Sequence, residues 1–209
     1  MTSSIYIDER TRILDLGCGK GLSTVFLVKK YMSTVFEADL WISPLENYEC
    51  FKAAGIEGKT VPISIDAKNG LTFAEEYFDI LLSIDAYHYF GDKAEILPSL
   101  VPYVKKGGYI AIAVPGLKYD FMDNVPPEMK PWWDIPEVAR TTRGIDFWKK
   151  LWQETSGIEI ISISEMNCHK KAWDEWLAVE IPEAQEDIPM MVAEDKKYFN
   201  FIEFIAKRI

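Results

Sequence analysis

Arg12-Ile13-Leu14-Asp15-Leu16-Gly17-Cys18-Gly19-Lys20-Gly21 opens the patterned part of this 209-residue chain. Ile13 to Leu16 reads as a short buried strand, and Leu22 to Lys30 reads as a helix. Between them stand three glycines at every second position. Strand, glycine turn and helix together begin a doubly wound α/β domain. A glycine turn lets the chain reverse sharply and lets a ligand lie against bare backbone. The free N–H groups at the start of the helix suit a carboxylate or a phosphate.

The spacing separates two ligand classes. A dinucleotide turn takes G-x-G-x-x-G, but here Leu22 occupies the third-glycine position and Gly21 comes one residue early. Asp15 stands two residues before the first glycine, where it repels a pyrophosphate and favours a ligand carrying an ammonium group. Asp15-Leu16-Gly17-Cys18-Gly19-Lys20-Gly21 resembles the first motif of class I methyltransferases, which bind S-adenosylmethionine. The resemblance implies that Asp15, Gly17, Cys18, Gly19 and Gly21 help to hold that cofactor. An ordinary strand-to-helix turn without a ligand is the plainer alternative, and a nicotinamide-dependent oxidoreductase is disfavoured by Leu22.

Working outward, Thr34 to Asp39 reads as the second strand. Its carboxyl end should lie beside the glycine turn in a doubly wound sheet. Asp39, followed by Leu40, is placed to accept from both hydroxyls of a ribose, because a carboxylate offers two acceptor oxygens. Glu37, two residues earlier, is the rival. Ser43-Pro44 starts a helix that runs to Ala54 and stops at Gly55. Val61 to Ile65 reads as the third strand, with Asp66-Ala67 as its exit. The family pattern puts an acidic residue there against the adenine amino group; a local turn is the other job open to Asp66.

Phe78 to Ile84 is an apolar strand suited to the centre of a sheet. It runs into Asp85-Ala86-Tyr87-His88-Tyr89-Phe90-Gly91, an aromatic loop where chemistry is expected because a rigid sheet positions it. The fourth strand should neighbour the first. On that placement Asp85 contacts the methionine part of the cofactor or orients His88, His88 takes a proton from an acceptor, and Tyr87 holds the acceptor by its hydroxyl. A packed aromatic corner is the competing reading. Lys93 to Val104 reads as a helix broken near Pro98 and Pro102, and Tyr109 to Val114 as a fifth strand. The intervening Lys105-Lys106-Gly107-Gly108 resembles the glycine-rich turn before the family's fifth strand.

Residues 115–143 are too rich in proline for a long helix and too apolar for a linker. They read as an ordered insertion over the carboxyl end of the sheet, with Phe121 to Trp133 expected on the substrate wall. Ile145 to Glu154 is helical, and Ile158 to Ile163 a strand. Residues 165–195 form a second insertion with Trp173 and Trp176, and Lys197 to Ala206 resumes strand character. The whole is expected to be one domain: a mostly parallel, seven-stranded Rossmann-like sheet with its last strand antiparallel and helices on both faces. Little chain precedes Arg12, where many members of the family carry lid helices; either the sequence is a fragment or another segment covers the site.

Composition narrows the function. The net charge of −10 argues against a bulk footprint for nucleic acid or an anionic membrane. No apolar run is long enough to span a bilayer, and the first residues lack the features of a signal peptide. Three scattered cysteines and two histidines give neither a disulfide framework nor a metal site, so a reducing, cytoplasmic setting is expected. The expectation is a methyltransferase that uses S-adenosylmethionine on a small-molecule acceptor. A cofactor-binding but non-catalytic partner subunit is the alternative.

Overall fold

The computed structural model describes residues 5–121 and 124–209. Strand β1 is Arg12–Leu16, helix α1 Leu22–Tyr31, β2 Thr34–Asp39, α2 Pro44–Ala54, β3 Thr60–Ser64 and β4 Phe78–Ile84. Helix α3 spans Ile96–Leu100 and β5 Val104–Leu117; two short helices, α4 Lys130–Trp133 and α5 Pro136–Thr141, follow. Then come β6 Arg143–Gly144, α6 Ile145–Gln153, β7 Ile158–Glu165, α7 His169–Leu177, α8 Pro182–Glu194 and β8 Phe199–Arg208.

The sheet runs β3-β2-β1-β4-β5-β8-β7, with the two-residue β6 added beside β5. The pairs β1·β2, β1·β4, β2·β3 and β4·β5 are parallel, and β8 is antiparallel to both its neighbours. The seven principal strands thus have the expected arrangement. Alternation in β1 divides the core. Leu14 and Leu16 join Trp148 and Trp152 of α6 and the apolar residues of α3 on one face. Ile13 joins Leu27, Val28 and Phe51 of α1 and α2 on the other. Helices therefore cover both faces, as a parallel sheet requires. Among the described residues, no helix is long and apolar enough to cross a membrane, and no cluster of His, Cys, Asp and Glu is arranged to hold a metal.

Local signals explain the elements that match. Ser43 accepts from the backbone N–H of Glu46, whose side chain accepts in return from the N–H of Ser43. This capping box satisfies two helix-end donors, and Gly55 closes α2 with φ +70°.

Three segments depart from expectation. The Lys93–Val104 helix shrinks to α3 and one tight turn, Val101–Tyr103, because Pro102 has no N–H to continue the ladder. Strand β5 begins at Val104, so the lysine and glycine turn is an irregularity inside the strand. The second insertion forms two helices, α7 and α8, with Pro189 inside α8. A third apolar cluster joins the insertions: Phe121 and Met129 pack with Leu117 and Phe199 against Trp132, Trp133, Trp173 and Met190.

Candidate cofactor and acceptor site

The glycine turn is fixed from both neighbouring strands. Gly17 N–H donates to the Ala38 carbonyl at 2.7 Å, and Gly19 N–H donates to Asp39 Oδ2 at 2.8 Å. From β4, Ser83 Oγ donates to the Leu16 carbonyl at 2.7 Å. Gly17 has φ +75°, and a Cβ there would stand 2.3 Å from the Ala86 Cβ. Only glycine lets the turn approach the Asp85 loop so closely.

A cavity of about 330 Å³ opens at the carboxyl ends of β1, β2 and β4. Its wall includes Gly17 and Gly19 of the turn, Asp39 and Leu40 after β2, and Asp66 and Ala67 after β3. Asp85, Trp41, Tyr89 and Phe90 complete the aromatic and acidic side. Sequence reasoning missed Trp41, which stands edge-on to Tyr89 at 4.9 Å between ring centroids. Its place in the loop after Asp39 was the available signal.

Asp39 is already engaged. Its Oδ1 accepts from the N–H groups of Trp41 and Ile42 at 2.8 and 2.9 Å, and Oδ2 accepts from Gly19. A carboxylate has about four acceptor positions. One therefore remains, enough for one ribose hydroxyl rather than the expected two. Asp66 also works locally, accepting from Lys68 N–H at 3.0 Å and Asn69 Nδ2 at 2.8 Å. Both of its expected roles are thus compatible with one place in the wall.

Three residues expected at the cofactor lie outside this wall. Asp15 is fully buried and turned toward α1, where its Oδ2 accepts from Ser23 Oγ at 2.6 Å and Thr24 Oγ1 at 2.7 Å. Burial raises its pKa, against the pull of those two hydroxyls. Its position on β1 forces this orientation, because alternate residues face opposite sides of the sheet. Cys18 is buried with its sulfur 3.5 Å from Asn47 Nδ2 of α2, and burial pushes its thiol pKa up. Gly21 faces Phe51, whose ring would stand 2.2 Å from an added Cβ. These residues build the turn rather than face the cavity. Glu37, the rival to Asp39, is also fully buried, and neither of its carboxyl oxygens has a hydrogen-bond partner. Burial pushes its pKa up to about 8.

A second cavity, of about 800 Å³, adjoins the first and shares Asp85 and Tyr89 with it. His88 lines it, together with Trp132 and Thr141 of the first insertion and Trp173, Trp176 and Asp187 of the second. Asp85 sits at φ +55°, a left-handed conformation unusual for a residue with a side chain. Asp85 is exposed where it lines the two cavities. Desolvation there, and after it the Asp187 carboxylate, raise its pKa to about 6. His88 is 4% exposed, its Nδ1 has no partner, and burial with the Arg140 charge lowers its pKa to about 4.

Tyr87 is corrected by the structure. It is fully buried and lines neither cavity. Its ring packs with Phe90, Trp148 and Trp152, on the α6 face of the sheet. The chain turns through a single 3-10 helical turn, Tyr87–Tyr89, so the Tyr87 ring enters the core while the His88 and Tyr89 rings, 4.0 Å apart between centroids, line the second cavity. Tyr89 rather than Tyr87 reaches both cavities. Asn200, which sequence reasoning passed over inside a strand pattern, lines the second cavity from β8.

A family described as "Methyltransferase domain" matches residues 14–112, from β1 into β5. Just under half of the chain thus matches a methyltransferase domain, and the fold is that of the class I methyltransferases. One curated relative, "Methyltransferase GfsG" of Streptomyces halstedii, is 23% identical over 172 residues, covering 80% of this chain and 61% of its own length. This chain thus spans about three fifths of that relative. Among solved structures, a geranyl diphosphate methyltransferase in complex with GPP and sinefungin matches with TM-score 0.76 and 10% identity, over 98% of this chain and 74% of its own. The [4+2]-cyclase SpnF matches at TM-score 0.73 and 12% identity, over 99% and 78%. At these identities the structures share the methyltransferase fold, and the cyclase shows that one fold carries more than one activity. The family's cofactor is S-adenosylmethionine. The acidic, aromatic wall beside the glycine turn fits it, with one free acceptor position on Asp39 for a hydroxyl.

Proposed function

We propose that the protein transfers a methyl group from S-adenosylmethionine to a small-molecule acceptor. The observation that carries this reading is the junction of the two cavities at Asp85 and Tyr89. A cofactor against the glycine turn and an acceptor beneath the insertions would meet there. When bound, the cofactor supplies a methyl group already activated as a sulfonium. The protein's task is then alignment and exclusion of water.

Residue roles follow from the walls. Gly17 and Gly19 offer bare backbone to the cofactor, and the free acceptor position of Asp39 takes a ribose hydroxyl. Asp66 and Ala67 lie on the adenine side, with Leu40 and Trp41 flanking. Asp85 stands at the transfer point, where the two cavities meet. His88 faces the acceptor as a neutral imidazole at pH 7, able to accept a hydrogen bond or a proton. Tyr89 closes the junction with its ring.

Calorimetry with S-adenosylhomocysteine and with NAD tests the cofactor assignment. Binding of the first without the second is the expected result. Comparable affinity for NAD, with no binding of S-adenosylhomocysteine, overturns it. Incubation with radiolabelled S-adenosylmethionine and pooled small-molecule metabolites then tests turnover. Cofactor binding with no transfer to any acceptor would favour the non-catalytic partner instead.

A further inference from the structure

The second cavity has a strongly one-sided charge. Asp85, Glu137, Glu183, Glu186 and Asp187 line it, and its described lining residues include no Lys or Arg. Arg140, close enough to affect His88, pairs with Asp92 at 2.8 Å and with Glu137 at 3.9 Å. Aromatic faces alternate with the acids: Tyr89, Trp132, Trp173 and Trp176, with Phe199 and Phe201 from β8.

A second feature is independent of the carboxylates. Asn200 is 1% exposed and lines this cavity, yet neither its amide oxygen nor its amide nitrogen has a hydrogen-bond partner. Buried amides are almost always paired. The side chain is held on β8 opposite Gly116 of β5, and Gly116 lines the same cavity. A ligand that supplies a donor and an acceptor at this depth would complete it. His88 Nδ1 is unpartnered in the same wall.

We propose that the second cavity binds an acceptor with a basic nitrogen on an apolar body, the nitrogen held by Asp85 and Asp187 and the body between the tryptophans. This rests on the methyltransferase reading and names the class of its acceptor. Asp85 and Asp187 line the same cavity, and the Asp187 charge reaches Asp85. Two carboxylates sharing one concave site repel until a cation enters between them. Trp176 Nε1 donates to Asp187 Oδ2 at 2.8 Å, which fixes that carboxylate while the indole face remains available. Aromatic faces bind an ammonium by cation–π attraction, and do so more strongly when water is excluded. Carboxylate or phosphate acceptors would meet uncompensated like charge.

The bound ammonium first loses a proton to solvent, to which the cavity is partly open. The freed lone pair forms the new N–C bond, the donor's S–C bond breaks, and its electrons remain on sulfur as a thioether. The methylated nitrogen carries the positive charge, and a surplus proton leaves it for water. The Asp85 and Asp187 carboxylates favour that charge as it forms on nitrogen.

The test compares phenethylamine with 3-phenylpropionate, which present opposite charges on the same ring and linker. Calorimetry on the protein saturated with S-adenosylhomocysteine should show the amine binding at least tenfold tighter. The preference should shrink as salt is raised, because the site is partly open to solvent. Glu186→Gln with Asp187→Asn should weaken the amine by at least tenfold and leave S-adenosylhomocysteine affinity within twofold, since neither residue lines the first cavity. Equal or tighter carboxylate binding, or no amine binding at millimolar concentration, overturns the acceptor assignment even where S-adenosylhomocysteine binds well. Failure of S-adenosylhomocysteine to bind defeats the methyltransferase reading instead; the amine preference is then measured on the free protein, where the same two outcomes decide it. The wild-type comparison stands without the double variant, should that fail to fold.

Discussion

Asp39 shows how one side chain serves both the turn and the ligand. Three backbone N–H groups occupy it before any cofactor arrives. Asp39→Ala should therefore weaken S-adenosylhomocysteine by on the order of 1–3 kcal/mol and also loosen the turn, because each removed acceptor orphans a donor. Unchanged calorimetric affinity would remove Asp39 from the cofactor site. A second prediction separates Asp85 from His88 by pH. With pKa values near 6 and near 4, the two titrate apart. Asp85 loses its charge as pH falls through about 6, so cofactor-dependent turnover should fall there. That limb should vanish in Asp85→Asn and persist in His88→Ala. A limb that vanishes only with His88 would reverse the assignment. Asp39 and Asp85 were legible as cavity-wall residues because they stand at the carboxyl ends of strands that flank the glycine turn. Asp15 and Tyr87 were not, since adjacency in sequence gives no side-chain direction at a loop or through a 3-10 turn. Asn200 left no signal, because its meaning comes from cavity walls supplied by residues far away in the chain.

At the scale of elements, strands and caps were readable and insertions were not. Strands β2 and β4 and helix α2 match expectation residue for residue, because apolar runs and a Ser-Pro…Gly frame act locally. Helices α7 and α8 were obscured by Pro182 and Pro189. Pro182 occupies the first helical position, where no N–H is required. The contact between the glycine turn and the Asp85 loop yields a sharp prediction. Gly17→Ala must shift one of two elements, because its Cβ would overlap that of Ala86, and φ +75° is strained for alanine. Destabilisation of more than about 1 kcal/mol in urea unfolding is expected, with cofactor affinity reduced as well. Gly19→Ala meets nothing within 4 Å and should cost less, although φ +54° still strains it. Equal costs at the two positions would show that backbone conformation, not the close approach, governs the turn. Tyr87→Phe should change stability by no more than about 1 kcal/mol and leave turnover near wild type, since the buried hydroxyl has no partner in the packed corner.

For the whole molecule, two buried groups, Glu37 and His88, pull stability in opposite directions with pH. Glu37 holds its proton up to about pH 8 in the fold but only to about 4.5 when unfolded. Between those values the folded state binds more protons, so stability falls as pH rises. His88 does the reverse. Its folded pKa near 4 lies below the ordinary 6.5, so the unfolded state binds more protons and stability rises with pH across that window. The two slopes oppose each other from about pH 4.5 to 6.5. Above 6.5 only the Glu37 slope remains of the two, at most about 1.4 kcal/mol per pH unit for one proton. Wild-type protein should therefore lose stability in urea titrations between pH 6.5 and 8. Glu37→Gln should flatten that loss, because an amide keeps a neutral group in the same place. It should change little at pH 4.5, where Glu37 is protonated in the fold. If the variant shows the same decline as wild type from pH 6.5 to 8, the slope belongs to another group. Asp15, its neighbour across the β1·β2 ladder, whose pKa burial also raises, is then the one to replace.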